Sequence, residues 1–198
     1  PLAKYFKARS QKPVSVIPNG YDEDDFEGLR ATRDKRFTIG YFGSIFGDRD
    51  PTKFLQAIEI CQRKEPKRQT RILFVGPVEE RVRRKIDSFT QLEVEIIPYL
   101  PHRECLELMK NCHALLALVG SDPKNDGVLT GKIFEYLRSG VPVMSICPKD
   151  AALWKFLEPM EHVFLSEPDC IESISASALQ AMEFPHAKQA CSFPDDLR

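Results

Sequence analysis

No stretch of about 18 consecutive apolar residues occurs in the chain, which excludes a membrane-spanning helix in this sequence. Neither sign of charge prevails. Lys and Arg number 28 and Asp and Glu 29, a formal net charge of −1, so no global field draws the chain to nucleic acid or to an anionic membrane. The basic runs Arg63-Lys64 with Lys67-Arg68, and Arg81 with Arg83-Arg84-Lys85, are interspersed with acids and read as solvated helix faces. Cys-x-x-Cys pairs and metal-spaced histidine pairs are absent. The six cysteines (Cys61, Cys105, Cys112, Cys147, Cys170 and Cys191) are scattered, which argues against zinc and against a secreted disulfide framework. Internal repeats and low-complexity tracts are missing as well. The start, Pro1-Leu2-Ala3-Lys4, lacks an initiator Met and does not read as a secretory leader. It reads as a cut in a longer chain, and a reducing cytoplasm, with a possible position at the membrane face, is the expected compartment.

What is present is ordinary for a globular α/β protein: 42% hydrophobic and 29% charged residues. The chain's 198 residues suffice for one domain that buries roughly 70% of the unfolded surface. Short apolar runs at 14–18, 37–43, 71–76, 94–99, 114–120, 141–147 and 162–166 alternate with helical patterns at 51–64, 79–89, 102–111, 132–139 and 151–158. Several runs are continuous Val, Ile and Leu, as strands buried on both faces require. Such alternation predicts a doubly wound, mostly parallel, Rossmann-like sheet. It should occupy 14–182, with 1–13 as an interdomain connection and 183–198 as a crossing helix or tail.

Ligands of such sheets collect at the carboxyl ends of the strands, near the switch in strand order. That rule selects the loops at 40–50, 76–79, 99–103 and 120–132. The last runs into the helix Gly131-Lys-Ile-Phe-Glu-Tyr-Leu. There the first N–H groups, of Gly131, Lys132 and Ile133, are expected to lack intrahelical acceptors and to form an anion site with the helix dipole. Thr130 would supply either the N-cap oxygen or a hydroxyl to a phosphate. Glu135 stands about one turn (~5 Å) further on, where it either accepts from two ribose hydroxyls or merely complements the dipole. In the loop Gly40-Tyr-Phe-Gly-Ser-Ile-Phe-Gly47, Gly43 and Gly47 permit close approaches, Ser44 is counted with the candidate site, and Arg49 and Lys53 could neutralise a diphosphate. Taken alone, ordinary turn glycines explain that spacing more readily. Backbone amides of Tyr99-Leu100-Pro101-His102 could read a base edge beside Gly76-Pro77. His102 is either a general base or a solvent-exposed helix-start residue, and His113 and His162 read as structural.

Four segments carry a family resemblance. Val16-Ile-Pro-Asn-Gly-Tyr-Asp22, Ile39-Gly-Tyr-Phe-Gly-Ser44, Pro98-Tyr-Leu-Pro-His-Arg-Glu-Cys-Leu-Glu-Leu-Met109 and Gly131-Lys-Ile-Phe-Glu-Tyr-Leu-Arg-Ser-Gly-Val-Pro-Val143 resemble, in order, the motifs of the C-terminal domain of family 4-type glycosyltransferases with the GT-B fold. The resemblance implies one half of a GT-B architecture that grips a nucleoside-diphosphate sugar as donor substrate, with no separate cofactor. Glu135 would hold the ribose, the amides of 130–133 the diphosphate, and Arg49 with Lys53 its charge, these two being the possible catalytic groups. It further implies sugar transfer with retention and without a bound metal, in polysaccharide biosynthesis.

The family's Glu-x7-Glu pattern places a donor-sugar glutamate at 127, where this chain has Gly127; backbone of 126–130 would take over. The acceptor site and a catalytic histidine would belong to an N-terminal domain of the same chain, through which peripheral membrane contact is conceivable. Without that domain the chain is expected to bind donor and not turn it over. Two alternatives stay open: a non-catalytic nucleotide-binding or regulatory domain, and another GT-B enzyme such as a nucleotide-sugar epimerase.

Overall fold

A computed structural model describes residues 6–10, 12–15, 17, 19–122, 127 and 129–185. Among them, six strands form one sheet: β1 (Phe37–Phe42), β2 (Thr70–Val75), β3 (Glu93–Ile97), β4 (Ala114–Leu118), β5 (Val143–Ile146) and β6 (Val163–Ser166). The order is β3-β2-β1-β4-β5-β6 and every pairing is parallel. This is a Rossmann-like, doubly wound α/β fold, as the alternation of apolar runs predicts.

Six α-helices cover the sheet: α1 (Thr52–Lys64), α2 (Glu80–Asp87), α3 (His102–Asn111), α4 (Gly131–Ser139), α5 (Ala152–Leu157) and α6 (Ile171–Glu183). Side chains alternate between two cores, as the strand period of two demands. Phe37, Ile39 and Tyr41 of β1 and Leu116 and Leu118 of β4 pack under α1, α2 and α6. Phe42, Leu115 and Ala117 pack under α3, α4 and α5, together with Phe26 and Leu29 from the segment before β1. Gly40 is required by this packing. A Cβ there would lie 2.6 Å from Cys112 Sγ and 2.7 Å from the Phe42 ring.

Two departures from the sequence reading have physical causes. No strand forms at the described residues of 14–18, and Ile17 is 90% exposed; Val16 and Pro18 lie outside the described residues. The run is short and flanked by Pro13 and Pro18, and proline cannot donate to a ladder. Conversely, α6 has no counterpart in the expected elements. Its buried face is Ile174, Ser175, Ser177, Ala178 and Ala181, so small and polar side chains dilute the apolar stripe. Ser177 Oγ escapes the cost of burial by donating to Leu165 O at 3.0 Å. The expected crossing helix or tail at 183–198 lies mostly outside the described residues.

The five described cysteines are free thiols, and burial pushes Cys112 up to about 12, so it is a neutral, space-filling group. Among the described residues no helix is long and apolar enough to cross a membrane.

His162, just before β6, is buried, and its Nε2 has no hydrogen-bond partner. Burial holds its pKa below the ordinary histidine value. The folded state therefore binds this proton less readily than the unfolded chain. Its contribution is fully present above the unfolded pKa and is lost as pH falls through the folded one. Urea midpoints should drop between pH 7.5 and pH 5, and His162→Gln should reduce that drop. An equal drop in the variant would locate the acid sensitivity elsewhere.

Candidate functional site

The connections of β1 and β4 leave in opposite directions, so their carboxyl ends bound the crevice of the sheet. β1 pairs with β2 along its whole length, Phe37 to Thr70 through Phe42 to Val75. With β4 it pairs only at Ile39 and Gly40. Beyond Gly40 the Phe42 N–H has lost its strand acceptor, and it donates instead to Tyr136 Oη at 2.8 Å. Tyr136 is fully buried on α4, and burial raises its pKa well above 10.0. One hydroxyl thus ties α4 to the rim of the crevice. Tyr136→Phe should cost about 1–3 kcal/mol in denaturant unfolding, the penalty of an orphaned buried N–H. A smaller loss would mean that another acceptor reaches Phe42.

The loop after β1 is stitched to the loop after β2. Gly43 N–H donates to Val75 O at 2.8 Å, Ile45 N–H to Pro77 O at 2.9 Å and Glu79 N–H to Ile45 O at 2.9 Å. Tyr41 Oη donates to Ser44 O at 3.1 Å. Gly47 N–H donates to Glu79 Oε2 at 3.1 Å, and Lys85 Nζ pairs with Asp50. Asp50 Oδ1 accepts from Thr52 N–H at 3.0 Å and so opens α1. Gly43, expected to approach a ligand closely, and Gly76, expected beside the base, pack against each other: a Cβ on Gly76 would lie 2.8 Å from the Gly43 carbonyl carbon and closer still to its oxygen. The Arg49 guanidinium lies 5.3 Å from the Phe46 ring centroid and also interacts with Tyr41. Arg49 and Lys53 meet Gly120 and Ser121 around a cavity of about 350 Å³. The Asp48 carboxylate crosses the same crevice. It accepts from Asp122 N–H at 3.2 Å and leaves no room for a Cβ on Gly120.

On the other side of the crevice α4 begins at Gly131. Thr130 is its N-cap residue, but the hydroxyl makes no capping bond; the backbone carbonyl does, accepting from Ile133 N–H at 3.1 Å. This corrects the expectation that Ile133 N–H lacks an acceptor. Ile133's side chain is core. A Cβ on Gly131 would meet only Asn19 Nδ2, at 3.7 Å. Packing does not demand glycine here, and the Asn19 segment of the first motif lies over the start of the last.

Glu135 is 18% exposed. Its Oε2 accepts from Lys132 Nζ at 2.9 Å, and its Oε1 lies 3.3 Å from His102 Nε2. Arg138 forks onto Glu23 (Nε to Oε2, 2.7 Å) and lies 5.1 Å from the Phe26 ring centroid, locking the segment before β1 onto α4. That fork lowers the Glu23 pKa. Leu100 packs at the edge of the core, and its carbonyl is 3.6 Å from Cys105 Sγ.

The proposed site residues therefore fall into two groups on one rim. Gly43, Ser44, Arg49, Lys53 and Gly76 lie on the loops after β1 and β2 and the first turn of α1, and Thr130, Gly131, Lys132 and Glu135 at the start of α4, whereas Leu100 follows β3 and the Ile133 side chain is core. Residue 127 is glycine, and Asp126 and Val128 lie outside the described residues. Sequence reasoning missed the His102–Glu135 contact, although its signal was available: His102 opens the helix after β3, on the same rim. A larger cavity, about 790 Å³, opens at the amino end of the strands beside Lys35, Lys64 and Lys67. It lies opposite the crevice that this topology uses for ligands, so the smaller cavity is the candidate. Among the described residues no cluster of three or more His, Cys, Asp or Glu is placed to hold a metal ion.

No family profile and no curated protein matches the chain. Solved structures do. An α,α-trehalose-phosphate synthase (UDP-forming) from Burkholderia vietnamiensis superposes with a TM-score of 0.63 at 11% identity, over 78% of this chain and 38% of its own. TarM of S. aureus, solved in complex with UDP, gives 0.66 at 12% over 96% and 36%. The catalytic domain of cholesterol-α-glucosyltransferase from Helicobacter pylori gives 0.57 at 17% over 74% and 86%. All three are GT-B glycosyltransferases. The chain has the fold of one half of a GT-B architecture. It spans 38% of the length of the trehalose-phosphate synthase and 36% of TarM. At these identities the likeness extends to the fold, and function has to be argued from the site.

Proposed function

We propose that the chain is the donor-binding domain of a glycosyltransferase, taking a nucleoside-diphosphate sugar at the β1/β4 crevice. The observation that carries this reading is the start of α4. A helix N-terminus with a Gly131 that packing does not require stands one turn before a carboxylate, and at the same carboxyl end of the sheet two cations, Arg49 and Lys53, line a cavity with Gly120 and Ser121. The helix dipole and the cations would cradle the diphosphate, and Glu135 would accept from the ribose hydroxyls. Leu100 and Gly76 border the space for the base.

The transfer itself would require a second domain carrying the acceptor, and on its own the chain would bind donor without turnover. In a retaining transfer the bond from the anomeric carbon to the phosphate oxygen breaks, and the nucleoside diphosphate leaves with the electron pair. The acceptor oxygen then bonds to the same face of that carbon, and its proton passes to the departing diphosphate oxygen. Arg49, Lys53 and the helix start would stabilise the leaving diphosphate electrostatically, the role a metal fills elsewhere. Gly127 favours one alternative, a nucleotide-binding domain without transfer, because no carboxylate stands where the motif has one.

Calorimetric titration with UDP, GDP and ADP tests the core of the proposal. One of them should bind, and Gly131→Leu should weaken it about tenfold or more while leaving the melting temperature near that of the parent, since the side chain fills ligand space. If no nucleoside diphosphate binds, the donor reading is lost. Binding in the full-length protein without transfer to any acceptor of a broad panel would favour the alternative.

A further inference from the structure

Glu135 does not stand alone. Lys132, one turn earlier on α4, holds Oε2 at 2.9 Å, and His102 Nε2 faces Oε1 at 3.3 Å. A carboxylate oxygen only accepts, so the His102 contact is a hydrogen bond when Nε2 carries the proton. Behind the imidazole, Asp25 Oδ2 lies 3.6 Å from Nδ1, an ion pair when the ring carries both protons. Asp25 belongs to the 3₁₀ turn Asp24–Phe26, and the neighbouring Glu23 is forked onto Arg138 of α4. The ring is thus bracketed between that turn and α4, while its own backbone opens α3. Arg103, the next residue, turns away to Glu107 at 3.6 Å.

We infer that His102 is a positioning residue. By holding Oε1 as Lys132 holds Oε2, it fixes the plane of the Glu135 carboxylate and sets a preference for ribonucleotides over 2′-deoxyribonucleotides. The inference rests on the nucleotide site proposed above. A glutamate with free rotamers loses that freedom when it grips a ligand; one already held by two donors has given it up beforehand. A carboxylate has about four acceptor positions. Two are occupied by His102 and Lys132, and two are left for the paired hydroxyls of a ribose. A 2′-deoxy sugar fills only one of them and leaves the other dry. The preference therefore depends on the carboxylate being held in a plane that both hydroxyls can reach.

The test compares UDP, GDP and ADP with their 2′-deoxy counterparts by calorimetry, in the parent chain and in His102→Ala, His102→Gln and Glu135→Ala. The parent should prefer the ribose form about tenfold, the scale of one charged hydrogen bond. His102→Ala should cut that preference several-fold with an unchanged melting temperature, because His102 is half-exposed. His102→Gln, whose amide nitrogen can replace Nε2, should restore most of it. Glu135→Ala should erase it. If Glu135→Ala erases the preference and His102→Ala leaves it intact, His102 has no positioning role and the nucleotide site stands. If Glu135→Ala also leaves it intact, or nothing binds, the ribose assignment and the inference fall together.

Discussion

Gly76→Ala should lose about 2–6 kcal/mol of stability, the largest loss expected from any single added methyl at the rim. Gly76 has a φ of +133°, a conformation that residues with a Cβ resist, and the added carbon would press on the Gly43 carbonyl. Holding a non-glycine residue in such a region costs about 1–3 kcal/mol, and overpacking adds about 1–3 kcal/mol. The obstacle is backbone, and it has little room to yield. Gly43 is held by Val75 O, while Gly76 donates to Ile97 O at 2.8 Å, so three strand ends are pinned together. Domains of this size are stable by only about 5–15 kcal/mol, and a loss at the upper end would leave much of the chain unfolded at 37 °C. Urea denaturation of parent and variant measures the effect directly. Gly131→Ala is the matched control, since its Cβ would make only an ordinary 3.7 Å contact with Asn19 Nδ2. Equal midpoints for Gly76→Ala and the parent would show that the two loops can separate, and the stitched rim would then not be a rigid platform.

The same pair of glycines shows what could and could not be read from the sequence. The sheet was legible because parallel strands covered on both faces need continuous apolar runs, and 37–42, 71–75 and 114–118 supply them. The position of Glu135, one turn into a helix that starts at Gly131, followed from helix geometry alone. The reason for Gly43 and Gly76 was hidden. Each looks like a ligand-approach glycine locally, and only the β1–β2 register shows that they face each other. The same holds for Tyr136, which reads as one more apolar residue on the buried face of α4. Its hydroxyl gains a purpose only because β1 and β4 part company after Gly40. Long-range pairings of this kind leave no periodic trace in a single chain. Nor does a helix such as α6, where Ser175 and Ser177 occupy core positions. His102 was undervalued for a related reason: its partner lies 33 residues away in sequence, on a different helix.

Removing both cations of the crevice, Arg49→Ala with Lys53→Ala, should weaken a bound nucleoside diphosphate at least a hundredfold while leaving the affinity of the matching nucleoside unchanged. The argument turns on where the charge is. Arg49 and Lys53 line one cavity with Gly120 and Ser121, and on the proposed reading the diphosphate reaches from the start of α4 towards it. Hydrogen bonds to charged groups contribute about 1.5–3 kcal/mol each, so two of them amount to about 3–6 kcal/mol, or two to four decades in Kd. Three carboxylates of the same cavity, Asp48, Asp50 and Asp169, oppose the ligand, so the lost cations would leave a net repulsive rim. Lys85 could compensate only by abandoning Asp50, whose other oxygen opens α1. The double variant should fold, because Lys53 is exposed and Arg49 contributes chiefly its stacking on Phe46 and its contact with Tyr41. Arg49→Lys separates charge from geometry: a lysine keeps the positive charge but not the planar fork, and it should recover only part of the loss. Nucleoside and diphosphate affinities that fall together would place the cations near the base. An unchanged diphosphate affinity would remove Arg49 and Lys53 from the site and leave the helix start as its only anion anchor.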